Sequence, residues 1–231
     1  MEKSSHSEKH FKTSEVVRDV IIGMSDGLTV PFALAAGLSS AVSNSAIIVI
    51  AGLAEIVAGS ISMGLGGYLA AQSDADHYKS ELAREYLEVK EFPQKEREEV
   101  ADIFKAYGIN DAEINPILNN FEKNPDNWVD FMMKHELGLE QPSPKRSFTS
   151  AGTIALSYIV GGIVPLSPYF FIAQPHEAFL TSISLTLCAL VAFGYFKSRF
   201  IGVNPWKGAL RTTIVGAIAA GAAYFLAKMI S

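Results

Sequence analysis

Two acidic side chains and one thioether lie inside stretches that are otherwise apolar. Asp26 falls within VIIGMSDGLTVPFALAAGL, while Glu55 and Met63 fall within AIIVIAGLAEIVAGSISMGLGGYLAA. An ionisable side chain near the centre of a membrane costs at least about 2.5 kcal/mol on insertion scales, so its presence indicates a function. A core acid satisfied by a neighbouring helix is the alternative. A carboxylate with a soft sulfur suits a late first-row metal such as Fe²⁺ better than Mg²⁺ or Ca²⁺.

Further acids recur along one face of the first stretch. Glu15, Asp19, Gly23 and Asp26 are spaced by four, four and three residues, which places them on one side of an α-helix. The pattern predicts an acidic ladder that leads from the membrane surface towards the midplane. For Glu15 and Asp19 an ordinary alternative exists, because acids near a helix N-terminus are stabilised by the helix dipole.

The second stretch carries small residues on the same helical face as its acid and its methionine. Small residues allow helices to approach closely in lipid, so this face predicts tight packing around Glu55 and Met63. The face repeats at intervals of four residues: Ala51, Glu55, Gly59, Met63 and Gly67.

Five segments are long and apolar enough to cross about 30 Å of hydrocarbon. The first is too long, and too soon followed by a second, for a secretory signal peptide. The single cysteine, Cys188, excludes both a disulfide framework and a cysteine cluster for zinc or iron–sulfur. The predicted spans are about 17–38, 46–71, 151–172, 178–196 and 209–230.

A polar insert separates spans two and three. Residues 73–147 contain 17 of the 24 acidic residues and 10 of the 19 basic ones, and this acidic balance argues against nucleic acid as a partner. Its prolines and glycines divide it into short helices. The predicted helices are 73–91 (a continuation of span two), 94–107, 111–121 and 125–137.

The acids of the insert are spaced so that they share helical faces. Carboxylates on facing helices can bridge divalent metals. The alternative is a solvated acidic face whose members pair with Arg84, Lys95 and Arg97, and the spacing alone leaves both interpretations open. The three groups are Glu81, Glu85 and Glu88; Glu96, Glu99 and Asp102; and Met132, Met133 and Glu136.

The distribution of Lys and Arg predicts the topology. Bases are present in the N-terminal tail, in the insert and in the turn after span four, whereas the turns at 39–45 and 165–177 have none. By the positive-inside rule, tail, insert and fourth turn share the cytoplasmic side, and the C-terminus lies opposite. The tail also carries His6 and His10, for which a solvated role is expected.

Four long motifs now identify a resemblance. Ser25–Ala33 (SDGLTVPFA) and Ala54–Gly64 (AEIVAGSISMG) closely resemble the signature spans of the vacuolar iron transporter family. Ala70–Tyr78 and Asp130–Leu139 are similar to the two ends of that family's cytoplasmic metal-binding domain. The resemblance extends from about Arg18 to the C-terminus, with the motifs in the family's order.

The resemblance implies an all-α, multi-pass membrane protein with five transmembrane helices and a helical cytoplasmic metal-binding insert between spans two and three. It implies a homodimer that exports Fe²⁺ from the cytosol in exchange for protons, with no organic cofactor. The transport acid, the transport methionine and a further membrane acid fall on Asp26, Met63 and Glu55. The implied metal ligands of the insert are Glu85, Glu88, Glu96, Glu99, Met132, Met133 and Glu136.

The corresponding domain boundaries are 1–15 for the tail, 16–72 for spans one and two, 73–147 for the insert and 148–231 for the remaining spans. Within transport, Mn²⁺ is the main rival substrate, and Zn²⁺ and Co²⁺ are further candidates. The membrane, vacuolar-type or prokaryotic plasma membrane, stays open.

Two rival functions from other classes also stay open. One is a membrane-tethered di-iron oxidase. Such sites use paired Glu-x-x-His motifs, whereas only Asp74-Ala-Asp-His77 approaches that pattern. The other is a structural membrane protein with an acidic interaction domain.

Overall fold

The structure, a computed structural model, describes residues 15–230, and its regular structure there is entirely α-helical. His6 and His10 lie outside the described residues. The helices are α1 (Glu15–Ala41), α2 (Ser45–Glu91), α3 (Pro93–Ala106), α4 (Asp111–Lys123), α5 (Pro125–His135), α6 (Arg146–Phe171), α7 (Pro175–Ile201) and α8 (Pro205–Ile230).

Five of these helices, α1, α2, α6, α7 and α8, are long and apolar enough to span a membrane. The all-α fold with five candidate spans is therefore confirmed. The helices extend a few residues beyond most predicted ends. The segment 73–91 continues span two without a break, as predicted, because α2 runs on to Glu91.

The described chain forms two compact units. The first, here called the membrane unit, contains the residues up to Tyr68 and those from Ser147 onwards, and the second, the insert unit, is Leu69–Arg146. Helix α2 contributes to both. This division lies close to the predicted boundaries of the insert, whose cytoplasmic location stays a prediction.

Helix α6 packs against both α1 and α2 through glycines. A Cβ atom added at Gly161 would lie 2.9 Å from the Leu28 nitrogen and 3.0 Å from the Gly27 carbonyl carbon, so the two backbones touch. On the α2 side, Gly52 faces Leu166 and Gly59 faces the ring of Tyr158. Close backbone approach of this kind is a usual way for helices to associate in lipid.

Side-chain hydroxyls add hydrogen bonds between these helices. Ser39 on α1 and Tyr169 on α6 are joined by a 2.8 Å bond, and the Ser182 hydroxyl of α7 donates to the Pro165 carbonyl over 2.7 Å. Backbone groups in hydrocarbon need partners from the protein itself. Pro165 and Pro168 inside α6 each remove a helical donor, and the Ser167 hydroxyl bonds the Val164 carbonyl that Pro168 leaves free.

The insert unit has its own apolar core. Helix α2 ends at Glu91 because Pro93 disfavours a helical conformation at Phe92, so α3 turns back after a single residue. Helix α4 starts with a capping box between Asn110 and Glu113. The core consists of Val89, Val100, Ala101, Ile114, Leu118, Trp128, Val129, Met132 and Met133.

Substitution of Gly161 tests the contact between α1 and α6. Replacing glycine by alanine inside a helix normally stabilises it by roughly 0.5–1 kcal/mol, but Gly161→Ala would push two backbones apart. We expect a loss of about 1–3 kcal/mol, the usual range for overpacking, measured as a lower thermal unfolding temperature in detergent.

Gly152→Ala on the same helix is the matched control, because nothing within 4 Å would meet its Cβ. Equal unfolding temperatures for Gly161→Ala and Gly152→Ala would show that the α1–α6 contact is looser than described.

Candidate metal sites

Three glutamates of the insert unit bring their carboxylates together. Glu85 and Glu88 lie on α2 and Glu96 lies on α3, and one oxygen of each lies within 4.8 Å of the others. Two oxygens on opposite sides of one ion would be about 4 Å apart, so the group has the size of a metal site. The sharp turn at Phe92 creates the cluster, because it folds the start of α3 back along the end of α2.

The glutamates at the centre of this cluster are buried without enough hydrogen bonds. Glu85 is 1 % exposed and Glu96 is completely buried. Glu85 Oε2 and both carboxylate oxygens of Glu96 have no hydrogen-bond partner among the described residues. Buried polar atoms in native proteins are almost always paired, so these oxygens indicate a site for a proton or a cation.

The electrostatics of the cluster also indicate a site for a proton or a cation. Burial, followed by repulsion from neighbouring carboxylates, raises the pKa of Glu85 to about 7, and the same two causes raise that of Glu96 to about 7. Glu88, Glu99 and Glu136 contribute to this repulsion, and the pKa of Glu136 is itself raised, mainly by burial. All five predicted glutamate ligands therefore lie within electrostatic reach of one another.

Basic residues pair with the outer part of the cluster. Arg84 approaches Glu81 to 2.6 Å but stays 3.8 Å from Glu85, and Lys95 lies 2.9 Å from Glu99. Pairing with bases, as the alternative expects, is thus seen for Glu81 and Glu99, although both side chains are partly buried. The alternative does not fit the buried pair Glu85 and Glu96, whose oxygens those bases leave unsatisfied.

Met132 and Met133 lie in the apolar core of the insert unit. Their exposed fractions are 0 % and 1 %, and they pack with Trp128 and Val129. Methionine commonly fills such core positions. The packing accounts for both residues as part of the core, and their role as metal ligands stays a prediction.

The predicted transport residues have different environments in the membrane unit. Glu15 is exposed and Asp19 is buried, whereas Asp26, Glu55 and Met63 are half-buried. Glu15 and Asp19 both take part in interactions with other residues. Asp26 precedes Gly27, which packs on the backbone of Tyr158 in α6. A shared site for Asp26 and Met63 stays a prediction.

Tyr158 is the functional candidate that sequence reasoning missed. Its hydroxyl donates a short hydrogen bond to Glu55 Oε1, and its ring lies against Gly59, one helical turn further along α2. The other oxygen, Glu55 Oε2, is buried without a partner in the described part of the chain. The sequence signal was present, because Gly59 shares a face with Glu55. The register between α2 and α6 was not available from the sequence.

Comparison with known proteins agrees with this architecture. A model of the VIT family matches residues 17–228. The chain belongs to the VIT family. "Vacuolar iron transporter 1" of Tulipa gesneriana is 58 % identical over 225 residues, covering 97 % of this chain and 91 % of the relative.

More distant relatives give the same assignment. "Vacuolar iron transporter 1" of Arabidopsis thaliana is 54 % identical, with 97 % of this chain and 90 % of the relative covered. "Protein CCC1" of Saccharomyces cerevisiae is 38 % identical, with 93 % and 69 % covered. The family and the five apolar helices make the chain an integral membrane transport protein rather than an enzyme.

The buried glutamates predict how the stability of the insert unit depends on pH. The folded protein holds protons on Glu85 and Glu96 up to about pH 7, whereas an unfolded chain releases them near 4.5. Unfolding therefore becomes easier as pH rises from 5 to 8. We expect Glu85→Gln/Glu96→Gln to flatten this dependence, measured by thermal unfolding followed through Trp128 fluorescence in a Trp206→Phe background.

The matched control is Glu91→Gln/Glu98→Gln, which removes two exposed acids from the same two helices and should keep the wild-type dependence. At pH 8, added Mn²⁺ should restore the stability of the wild type but not of Glu85→Gln/Glu96→Gln. An unchanged pH profile in that variant would contradict the protonated cluster.

Proposed function

We propose that the protein carries Fe²⁺ out of the cytosol across a membrane in exchange for protons. One observation carries the proposal: each unit contains at least one glutamate oxygen that is buried without a partner within residues 15–230. Relatives named vacuolar iron transporters support iron as the cargo. Their names also favour a vacuolar-type membrane over a plasma membrane.

The insert unit would collect the metal. Glu85, Glu88 and Glu96 offer converging oxygens, with Glu99 and Glu136 nearby and Met132 and Met133 as candidate sulfur ligands. Carboxylates bind a divalent cation in their deprotonated form. Because repulsion among these acids disfavours that form without a metal, a cation would relieve the repulsion as it binds.

The path through the membrane would follow the acidic face of α1. Fe²⁺ would pass from the exposed Glu15 to the buried Asp19 and then to Asp26. There a carboxylate and the Met63 thioether would hold it. The mixed oxygen and sulfur set favours Fe²⁺ over Mg²⁺ or Ca²⁺.

Proton exchange follows from the ligand chemistry. A carboxylate cannot hold a proton and a metal with equal strength at one time, since ligation needs the deprotonated form. When Asp26 releases the metal on the far side, its carboxylate would take up a proton there. The proton would then be released on the cytosolic side, when the site without metal faces that side again. Glu55, with one oxygen held by Tyr158 and the other unpaired, would serve as a second proton or metal acceptor on α2.

A homodimer would complete the central site. Helix α2 exposes a second stripe of small residues one position away from Glu55 and Met63, next to large exposed side chains such as Ile61, which is 64 % exposed. Small residues at intervals of four allow a second helix to approach closely, and the two-fold axis would then bring two copies of Asp26 and Met63 to one path. The stripe is Ala54, Ala58, Ser62 and Gly66.

Mn²⁺ is the second candidate cargo. It neighbours Fe²⁺ in the Irving–Williams order and prefers oxygen ligands, and the insert cluster is built of glutamate oxygens. Zn²⁺ and Co²⁺ bind the same ligand types and belong in the same flux comparison.

Neutralising Asp26 tests the central acid. Asp26→Asn keeps the shape of the side chain and removes its negative charge, so the variant should fold normally and lose Fe²⁺ flux by at least tenfold, the factor that 1.4 kcal/mol gives. Flux is measured in proteoliposomes with an imposed pH gradient. Asp76→Asn, an exposed acid paired with Lys79 at 3.5 Å, is the control, and wild-type flux in Asp26→Asn would remove Asp26 from the path.

Removing one hydroxyl tests the role of Tyr158. Tyr158→Phe keeps the ring against Gly59 but releases Glu55, and we expect slower Fe²⁺ transport with an altered dependence on pH. Tyr169→Phe removes a comparable hydroxyl from the same helix, one that bonds Ser39 and no acid. Equal effects of the two variants would show that Tyr158 acts only in packing.

A further inference from the structure

The turn between α7 and α8 forms a basic cavity. Helix α7 ends at Ile201, Gly202 reverses the chain with φ of 82°, and α8 begins at Pro205. Between the two helix ends lies a cavity of about 590 Å³. Its lining includes the cations Lys197, Lys207 and Arg211.

The positive charges of this cavity are not neutralised by acids. Within residues 15–230 none of the three forms an ion pair, and the Lys197 ammonium donates only to the Thr212 hydroxyl, over 3.2 Å. Lys197 and Arg211 are close enough to repel each other. Three cations that face one space without a counter-charge indicate an anionic ligand.

Next to the cavity lie two aromatic side chains of the kind found at the edge of a membrane. Trp206 is 70 % exposed and packs edge-on against Tyr195, with ring centroids 5.2 Å apart. Tryptophan and tyrosine are enriched at the ends of spans, at the level of the lipid headgroups.

We propose that this cavity binds the phosphate of an anionic membrane lipid. Basic pockets between transmembrane helices are suited to such headgroups, and the positive-inside rule assigns this turn to the cytoplasmic leaflet, where anionic lipids are found. The bound lipid bridges the ends of α7 and α8, at the point where Gly194 and Gly208 bring these helices together. None of the proposed transport residues takes part.

Quenching of Trp206 by brominated lipids tests the proposal. The wild type is reconstituted in zwitterionic vesicles that contain a small fraction of brominated lipid, with either a phosphomonoester or a phosphocholine headgroup. A Trp206→Phe variant supplies the background from Trp128. We expect stronger quenching by the phosphomonoester lipid, and a loss of this preference in Lys207→Gln/Arg211→Gln, by roughly fivefold for each base removed.

The control removes the same charge at positions that do not line the cavity. Arg199→Gln/Lys228→Gln should keep the preference, and so should Lys207→Arg/Arg211→Lys, which tests whether the charges or the fold matter. Equal quenching by both lipids in the wild type, or an equal loss in the Arg199 and Lys228 variant, would overturn the proposal. Binding of inorganic phosphate together with equal quenching by the two lipids would show that the site serves a free anion.

Discussion

Unsatisfied carboxylate oxygens away from water are the constraint on which the rest of this structure depends. Glu85 and Glu96 are almost completely buried, and three of their four oxygens lack a partner among the described residues. In the membrane unit, one oxygen of Glu55 is likewise buried without a partner among the described residues. An unpaired buried charge is strongly destabilising, so such groups persist where a proton or a cation occupies them for part of the time.

The scaffold holds these acids in place by different means in the two units. In the insert unit a single residue, Phe92, separates two helices and forces Glu85 and Glu96 to face each other. In the membrane unit, glycines let α6 approach α1 and α2 so closely that Tyr158 reaches both Gly27 and Glu55. A tight turn positions the acids in the insert unit, and close backbone contact positions the tyrosine in the membrane unit.

Much of this architecture could be predicted from the sequence. The five spans follow from hydropathy, and the end of α2 follows from Pro93, because both signals are local. Burial within the insert could not be predicted: spacing places Glu81 and Glu85 on one face alike, and only the packing of α3 separates the partly accessible Glu81 from the buried Glu85.

The sequence was equally silent on the burial of Met132 and Met133 and on the contact between Tyr158 and Glu55. Neighbouring residues on a helix point about 100° apart, so the burial of both methionines requires packing on two sides of α5, which a single segment does not reveal. In the sequence, Tyr158 is one aromatic residue in an apolar span. Only the register between α2 and α6 shows that its hydroxyl bonds Glu55.

Proton movement that accompanies metal flux tests the central claim most directly. Proteoliposomes that contain the protein and an internal pH indicator are given external Fe²⁺ without an imposed pH gradient, under anaerobic conditions. If carboxylates exchange metal for protons, Fe²⁺ uptake acidifies the medium and makes the lumen alkaline in proportion to the metal transported. Fe²⁺ uptake at full rate with no change in internal pH would contradict the account.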